Sequence, residues 1–316
     1  LLVLEEQILR FYLKVFSFLF IPIFYIYYIF VVKEIVIKNN FFLIKKSMNH
    51  ENIIEQNIED NKINLFFYKS FLKLILLNKT HIHYGKFDIE KNNNFLQVIN
   101  SIKKPSNYLE KITIVEGWSK QNLNEILSKN FKEFDQIEYY NVIADTYMFS
   151  EGSSFKEFKT ILENRLIKIE DKYRNNDLLK KFSFKEILII GSLLEKEGIN
   201  YLDKKKIFSV IMNRLNKKMK LQIDATVIFS LTKGLKKFDR NLVYQDLKIK
   251  DPYNTYYIYG LPPKPISYVG NKTIELIFEN YKTDYLFYFY NSMKEEHIFS
   301  KNYKSHLEKL NAYRSK

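Results

Sequence analysis

The chain has 316 residues, a formal net charge of +14, 46% apolar and 27% charged residues, and no cysteine. Such a composition excludes a disordered chain and leaves room for one large or two modest domains with real cores, while the missing cysteines exclude disulfides, thiolate metal sites and cysteine nucleophiles. The charge favours anionic surroundings, but the chain has no dense Arg/Lys block interleaved with aromatics, so no nucleic-acid partner is expected.

Residues 15–32 (VFSFLFIPIFYIYYIFVV) are eighteen uncharged, mostly apolar residues, flanked by Arg10 and Lys14 before and Lys33 after. That length is near the minimum for a bilayer-spanning helix, and the basic flank leans toward a cytoplasmic N-terminus. No small-x-small cleavage site follows the run, so an uncleaved anchor is expected over a signal peptide. Residues 39–64 are polar and read as a linker or weak helices. Helical periodicity returns over 65–77, a strand around a turn at Gly85 is expected over 81–89, and a short helix over 95–102. Together residues 34–111 read as a small α+β module. His81 and His83 share one strand face without partner ligands and are expected as exposed strand residues, not a metal site.

From residue 112 the character shifts. Residues 112–127 read as a strand, a turn at Gly117 and a helix with Ser119 as N-cap; residues 139–147 read as a short apolar strand closing on Ala-Asp-Thr-Tyr. Helices are expected over 155–169, 182–197 and 205–215. Leu221–Val227 alternates Gln222, Asp224 and Thr226, as a strand with three polar groups on one face would. Residues 251–267 hold four of the six prolines, which implies a stiff loop presenting Asn254, Thr255 and Tyr256 in a manner suited to sugar or peptide. Both segments read equally as a half-exposed strand and a turn-rich surface loop. Residues 285–300 look like a hairpin.

The helix over 183–198 (SFKEILIIGSLLEKEG) carries the chemistry. Ser183 with Glu186 forms a capping-box signature. Ile187, Ile190, Leu193 and Leu194 recur at helical spacing, and the stripe extends to Glu197. Glu195 falls over Gly191 and Ser192, a face with little to bury. Gly198 reads as the C-cap. A carboxyl group on a buried stripe near the negative end of a helix should hold its proton tightly, as a general acid needs. Taken alone, this stretch reads first as the polar edge of an amphipathic helix.

The order of motifs shifts that balance. VEGWS, ADTY, LLEKEG, FSVIMNRL, LQIDATV, PYNTY, GLPPKPI, KTDYLFYF and HIFSKNYKSH, from about residue 112 onward, resemble the YceG-like endolytic murein transglycosylases, the MltG family. The resemblance implies an α+β protein in three parts: a tail and transmembrane helix over 1–33, a linker and LysM-like module around IHYGKFDI over 34–111, and a YceG-like catalytic domain over 112–316. It implies a single-pass protein of the bacterial cytoplasmic membrane with its catalytic domain on the outer side. Peptidoglycan strands are the implied substrate and peptidoglycan synthases the candidate partners, with no metal or organic cofactor. The catalytic acid of the family falls on Glu197. Gln222, Asp224, Asn254 and Tyr256 fall on motif positions lining the cleft, with Thr226 and Thr255 beside them. The chain departs from the family pattern at Gly198, where threonine is usual, at Ile223 and Ala225, where LQTDPTV has threonine and proline, and in the segment before ADTY. These departures leave open a second expectation, a catalytically silent peptidoglycan-binding scaffold of the same fold.

Overall fold

The computed structural model describes residues 10, 18, 20–45, 48–78, 81–90 and 92–315. The chain divides into two compact units: one of residues up to Glu110 with Met148–Ser153, the other of Lys111–Tyr147 and Ser154–Lys316.

In the first unit, β1 (Val36–Ile37), β2 (Phe42–Ile44), α1 (His50–Asn57), β3 (Ile58–Glu59), α2 (Lys62–Leu77), β4 (Gly85–Phe87) and α3 (Phe95–Ile102) follow in order. β1 pairs antiparallel with β3, and β2 with β4. Asparagine, abundant in this chain, is put to work at the helix starts: Asn49, Asn61 and Asn94 each accept a backbone N–H in the first turn of α1, α2 and α3, satisfying donors a helix start leaves orphaned. The segment expected as a linker or weak helices is instead packed. Asn57 is fully buried; its amide donates to the carbonyls of Leu43 and Ile53 and its oxygen accepts the Leu43 N–H. One buried, satisfied amide thereby locks β2 to α1, a link that polarity along the sequence conceals. In place of the strand expected over 81–89, only Gly85–Phe87 is extended and paired. His83 is half-buried, and the His81 and His83 rings meet edge to face.

Residues 15–17 and 19 of the expected membrane span lie outside the described residues. Residues 20–27 are helical and expose Phe20, Ile21, Ile23 and Phe24, and Tyr28–Val32 form a π-helical turn. Among the described residues, no helix is long and apolar enough to cross a membrane. The C-terminal boundary of the expected span needs correction, because Ile29 and Phe30 are buried in the first unit. Tyr68 donates to the Ile29 carbonyl, and Phe30 meets Tyr68, Phe71 and Phe95 edge to face. An apolar run cannot show from sequence which of its residues belong to a protein core, since a core and a membrane span are both hydrophobic.

The remaining elements are β5 (Leu109–Thr113), α4 (Lys120–Asn130), β6 (Ile143–Ala144), β7 (Thr146–Ser150), α5 (Phe155–Tyr173), α6 (Phe184–Glu197), α7 (Tyr201–Asn216), α8 (Asp224–Thr232), β8 (Val269–Gly270), α9 (Asn271–Phe278), β9 (Phe287–Asn291), β10 (Glu296–Ser300) and α10 (Tyr303–Arg314). The fold class is α+β, as expected. α6 is the central helix of the second unit, against α7, α8, α9 and β8. Its capping box of Ser183 and Glu186 forms as expected. Its burial is not a single stripe: Ile187 through Leu194 are all buried, Gly191 and Ser192 included. A Cβ on Gly191 would lie 2.6 Å from Val269 Cγ1. Ser192 Oγ donates to Ile189 O and accepts the Ile266 N–H. The face of small residues is therefore where β8 and its approach come closest to the helix. A helix apolar all round is a buried helix.

Candidate active site

α6 ends on the carboxyl groups the site is built around. Gly198 caps it in extended conformation (φ −84°), so glycine is not required there by a left-handed turn. Space favours it, because a Cβ on Gly198 would overlap Lys204 Cγ and Lys204 would have to shift. Lys204 forms an ion pair with Glu195, whose side chain is 2% exposed and also accepts the Gly270 N–H at 3.0 Å. Lys204 donates further to Thr273 Oγ1. The expectation that Glu195 lies on an idle face is thus corrected: it clamps α6 to α7 and β8, and its carboxylate is consumed by structure.

Glu197 is left partly exposed, with a different set of neighbours. Tyr288, from β9, donates its hydroxyl to Glu197 Oε2 at 3.0 Å. Burial pushes the Glu197 carboxyl above its ordinary range. The Tyr288 hydroxyl pulls it back, the nearby Asp224 charge raises it further, and His297 and the backbone N–H of Ala225 lower it. Desolvation is the largest of these influences and favours the neutral acid. Burial and the Glu197 charge in turn hold the Tyr288 phenol well above its usual range, so it stays a donor.

Leu221–Val227 is not a strand. Gln222 sits at φ +51°, exposed, and its N–H donates to the Thr255 carbonyl. α8 starts at Asp224 with Ile223 at the N-cap and no side-chain cap. The turn of chain at Gln222 sends the three polar residues in different directions. Asp224 is exposed and accepts the Tyr256 hydroxyl at 2.6 Å. Thr226 is fully buried, its hydroxyl donating to Ile223 O and meeting Thr255 Oγ1 at 2.9 Å. Thr255 and Asn254 are also fully buried. The Asn254 amide donates to Leu247 O and Ile249 O, and its oxygen accepts the Tyr256 N–H. The structure therefore brings Glu197, Asp224 and Tyr256 together, sets Gln222 at the edge, and gives Thr226, Thr255 and Asn254 to the scaffold beneath.

Four side chains were not legible in the sequence: Tyr288, His297, Asp203 and Arg214. His297 Nδ1 lies 2.9 Å from Asp203 Oδ2, with both side chains under 10% exposed, and the His297 ring stands edge-on to Tyr288. Asp203 also accepts the Ile199 N–H, two residues past Glu197. Arg214, 7% exposed, donates to the carbonyls of Leu286 and Leu221, joining α7 to the approaches of β9 and α8. Alternation locates a hairpin over 285–300, and Phe289 and Tyr290 pair with Ile298 and His297. Nothing in that pattern states which tyrosine meets α6. Among the described residues no cluster of His, Asp and Glu is arranged to hold a metal ion.

The sequence model of the YceG-like family matches residues 34–312. The endolytic murein transglycosylase of Bacillus subtilis (strain 168) is 36% identical over 185 residues, 58% of this chain and 49% of that protein. The endolytic murein transglycosylase of Streptococcus pneumoniae serotype 2 (strain D39) is 31% identical over 171 residues, 51% of this chain and 30% of that protein. The chain thus spans half or less of the length of these curated relatives. A YceG-like protein of Listeria monocytogenes, known from its crystal structure, superposes with a TM-score of 0.55 over 86% of this chain and 99% of that one; at 24% identity this likeness speaks to fold alone.

Proposed function

This chain belongs to the YceG-like family, and we propose that it is a murein lytic transglycosylase that uses Glu197 as both acid and base. The observation that carries this reading is one carboxyl group, held toward its neutral form by burial and aimed by the Tyr288 hydroxyl, beside the exposed Asp224–Tyr256 pair. Protonated Glu197 gives its proton to the glycosidic oxygen between N-acetylmuramic acid and N-acetylglucosamine, and the bond to muramoyl C1 breaks. The resulting carboxylate takes the proton of the muramoyl 6-hydroxyl as O6 bonds to C1, closing a 1,6-anhydro ring. The sugar's own hydroxyl replaces water, so one carboxyl group serves where most glycosidases need two. Asp224, on the exposed side, accepts from acetamido or hydroxyl groups of the strand, and Tyr256 and Gln222 flank it.

The same reading takes the N-terminal apolar run as a membrane anchor, with the small unit a LysM-like module, both units outside the cytoplasmic membrane, and peptidoglycan synthases as partners. The exposed Phe20, Ile21, Ile23 and Phe24 support lipid contact. The test is digestion of purified peptidoglycan by the full chain in detergent, since a chain starting at residue 34 would lack the core residues Ile29 and Phe30. Internal fragments ending in 1,6-anhydromuramic acid are expected by mass spectrometry. Ordinary reducing ends would refute the mechanism, and binding without cleavage would favour the silent scaffold.

The family pattern places proline at position 225, which has no N–H to offer; here Ala225 does, and its N–H lowers the Glu197 carboxyl. Ala225→Pro should therefore raise it further. The alkaline limb of the pH–rate profile, where the acid is lost, is expected to move to higher pH with little change in maximal rate. An unmoved or downward-shifted limb would show that this amide does not act on Glu197.

A further inference from the structure

Beside the catalytic helix runs a groove of about 500 Å³ that the mechanism above leaves unused. It begins at Lys196 and Ala225, the first adjacent to Glu197 in sequence and the second in contact with it. Ile228 and Phe229 of α8 contribute apolar surface, and Lys236 and Lys237 stand exposed on the segment after α8. Lys237 is in a loose, solvent-exposed ion pair with Asp239 that a peptide carboxylate can displace. Glu125, an acidic residue of the lining, is engaged by the Gln121 amide. Lys196 donates to the Gly117 carbonyl, leaving further N–H donors on its ammonium. A chain with apolar side groups, amide bonds and a free carboxylate matches this surface.

The proposed reaction supplies such a chain at that place. Muramic acid carries a lactyl group on C3, and in murein that group bears a short peptide. The C3 oxygen is on the same sugar ring as the C1 that Glu197 attends, so the peptide starts about one ring-width from the catalytic carboxyl, beside the mouth of this groove at Lys196 and Ala225. We propose that the groove from Lys196 and Ala225 to Lys236 and Lys237 is a stem-peptide subsite, with the two distal lysines receiving the peptide's carboxylates. The inference rests on the transglycosylase reading and deepens it: the substrate is the peptide-bearing strand, not bare glycan.

The test compares the full chain on glycan strands with intact stem peptides and on strands stripped to lactyl groups by an amidase. Wild type is expected to show a kcat/KM about tenfold higher on peptide-bearing strands, the worth of one or two charge-assisted hydrogen bonds at an exposed rim. In Lys236→Glu/Lys237→Glu that ratio should collapse toward one, mainly through KM. In Lys156→Glu/Lys168→Glu, which alters two exposed lysines of α5 outside the groove, the ratio should stay at the wild-type value. A wild-type ratio near one, or a ratio unaltered by the groove variant, overturns the subsite while leaving the transglycosylase reading intact. If wild type cleaves neither substrate, both fall.

Discussion

Glu197→Gln is expected to lower turnover of peptidoglycan by on the order of 10³-fold, because the proposed mechanism gives both proton transfers to this one side chain and general acid–base catalysis alone is worth about 10²–10⁴. Glutamine retains an acceptor for the Tyr288 hydroxyl, so the geometry at the end of α6 should survive. The stability effect has the opposite sign. The folded-state pKa of Glu197 is raised above 4.5. Its contribution to stability is therefore full below about pH 4.5 and is lost as pH rises through the folded value. The variant should melt higher than wild type at neutral pH, and the difference should vanish in acid. The measurements are anhydro-product formation at saturating substrate and thermal melting from pH 4 to 8. Wild-type turnover in the variant would remove Glu197 from the mechanism, and a lower neutral-pH melting point would show that its carboxylate stabilises the fold.

Glu195→Ala should do the reverse. It removes the partner of Lys204, 17% exposed, and the acceptor of the Gly270 N–H. Breaking a buried pair from one side leaves a charge uncompensated, at a cost of about 3 kcal/mol, or roughly 6–12 °C of melting temperature for a unit of this size. Below that transition, turnover per folded molecule should remain within about threefold of wild type, since Glu195 points away from Glu197 into the packing between α6, α7 and β8. Melting followed by circular dichroism checks the first part and initial rates at low temperature the second. A variant as stable as wild type would mean that the Glu195–Lys204 pair adds nothing over solvated charges. Because Gly198 makes room for Lys204, Gly198 and this ion pair form one device, and the departure from threonine at that position is accounted for by space.

Features that depend on local periodicity and short-range hydrogen bonding were legible in the amino-acid sequence. The capping box of Ser183 and Glu186, the extent of α6 and the hairpin over 285–300 were legible there, because each is written within one or two helical turns or one strand pair. The stripe that singled out Glu197 over Glu195 was not, because α6 is buried all round and Glu195, off that stripe, is itself enclosed. The order of motifs from residue 112 pointed to the family before any packing was visible. Long-range packing sorts the polar groups into those left open beside Glu197 and those buried beneath it. Asn254, Thr255 and Thr226 are polar like Gln222, Asp224 and Tyr256. The left-handed turn at Gln222 and the start of α8 bury Thr226 while exposing Gln222 and Asp224. The hydrogen bonds of the loop around Asn254 bury Asn254 and Thr255 while leaving Tyr256 half-buried against Asp224. Glu195 and Glu197 differ by two residues on one helix, a rotation of about 200°. One therefore meets Lys204 and Gly270 and the other Tyr288. Those partners lie 9 to 91 positions away in the chain, beyond the reach of any pattern on the helix itself.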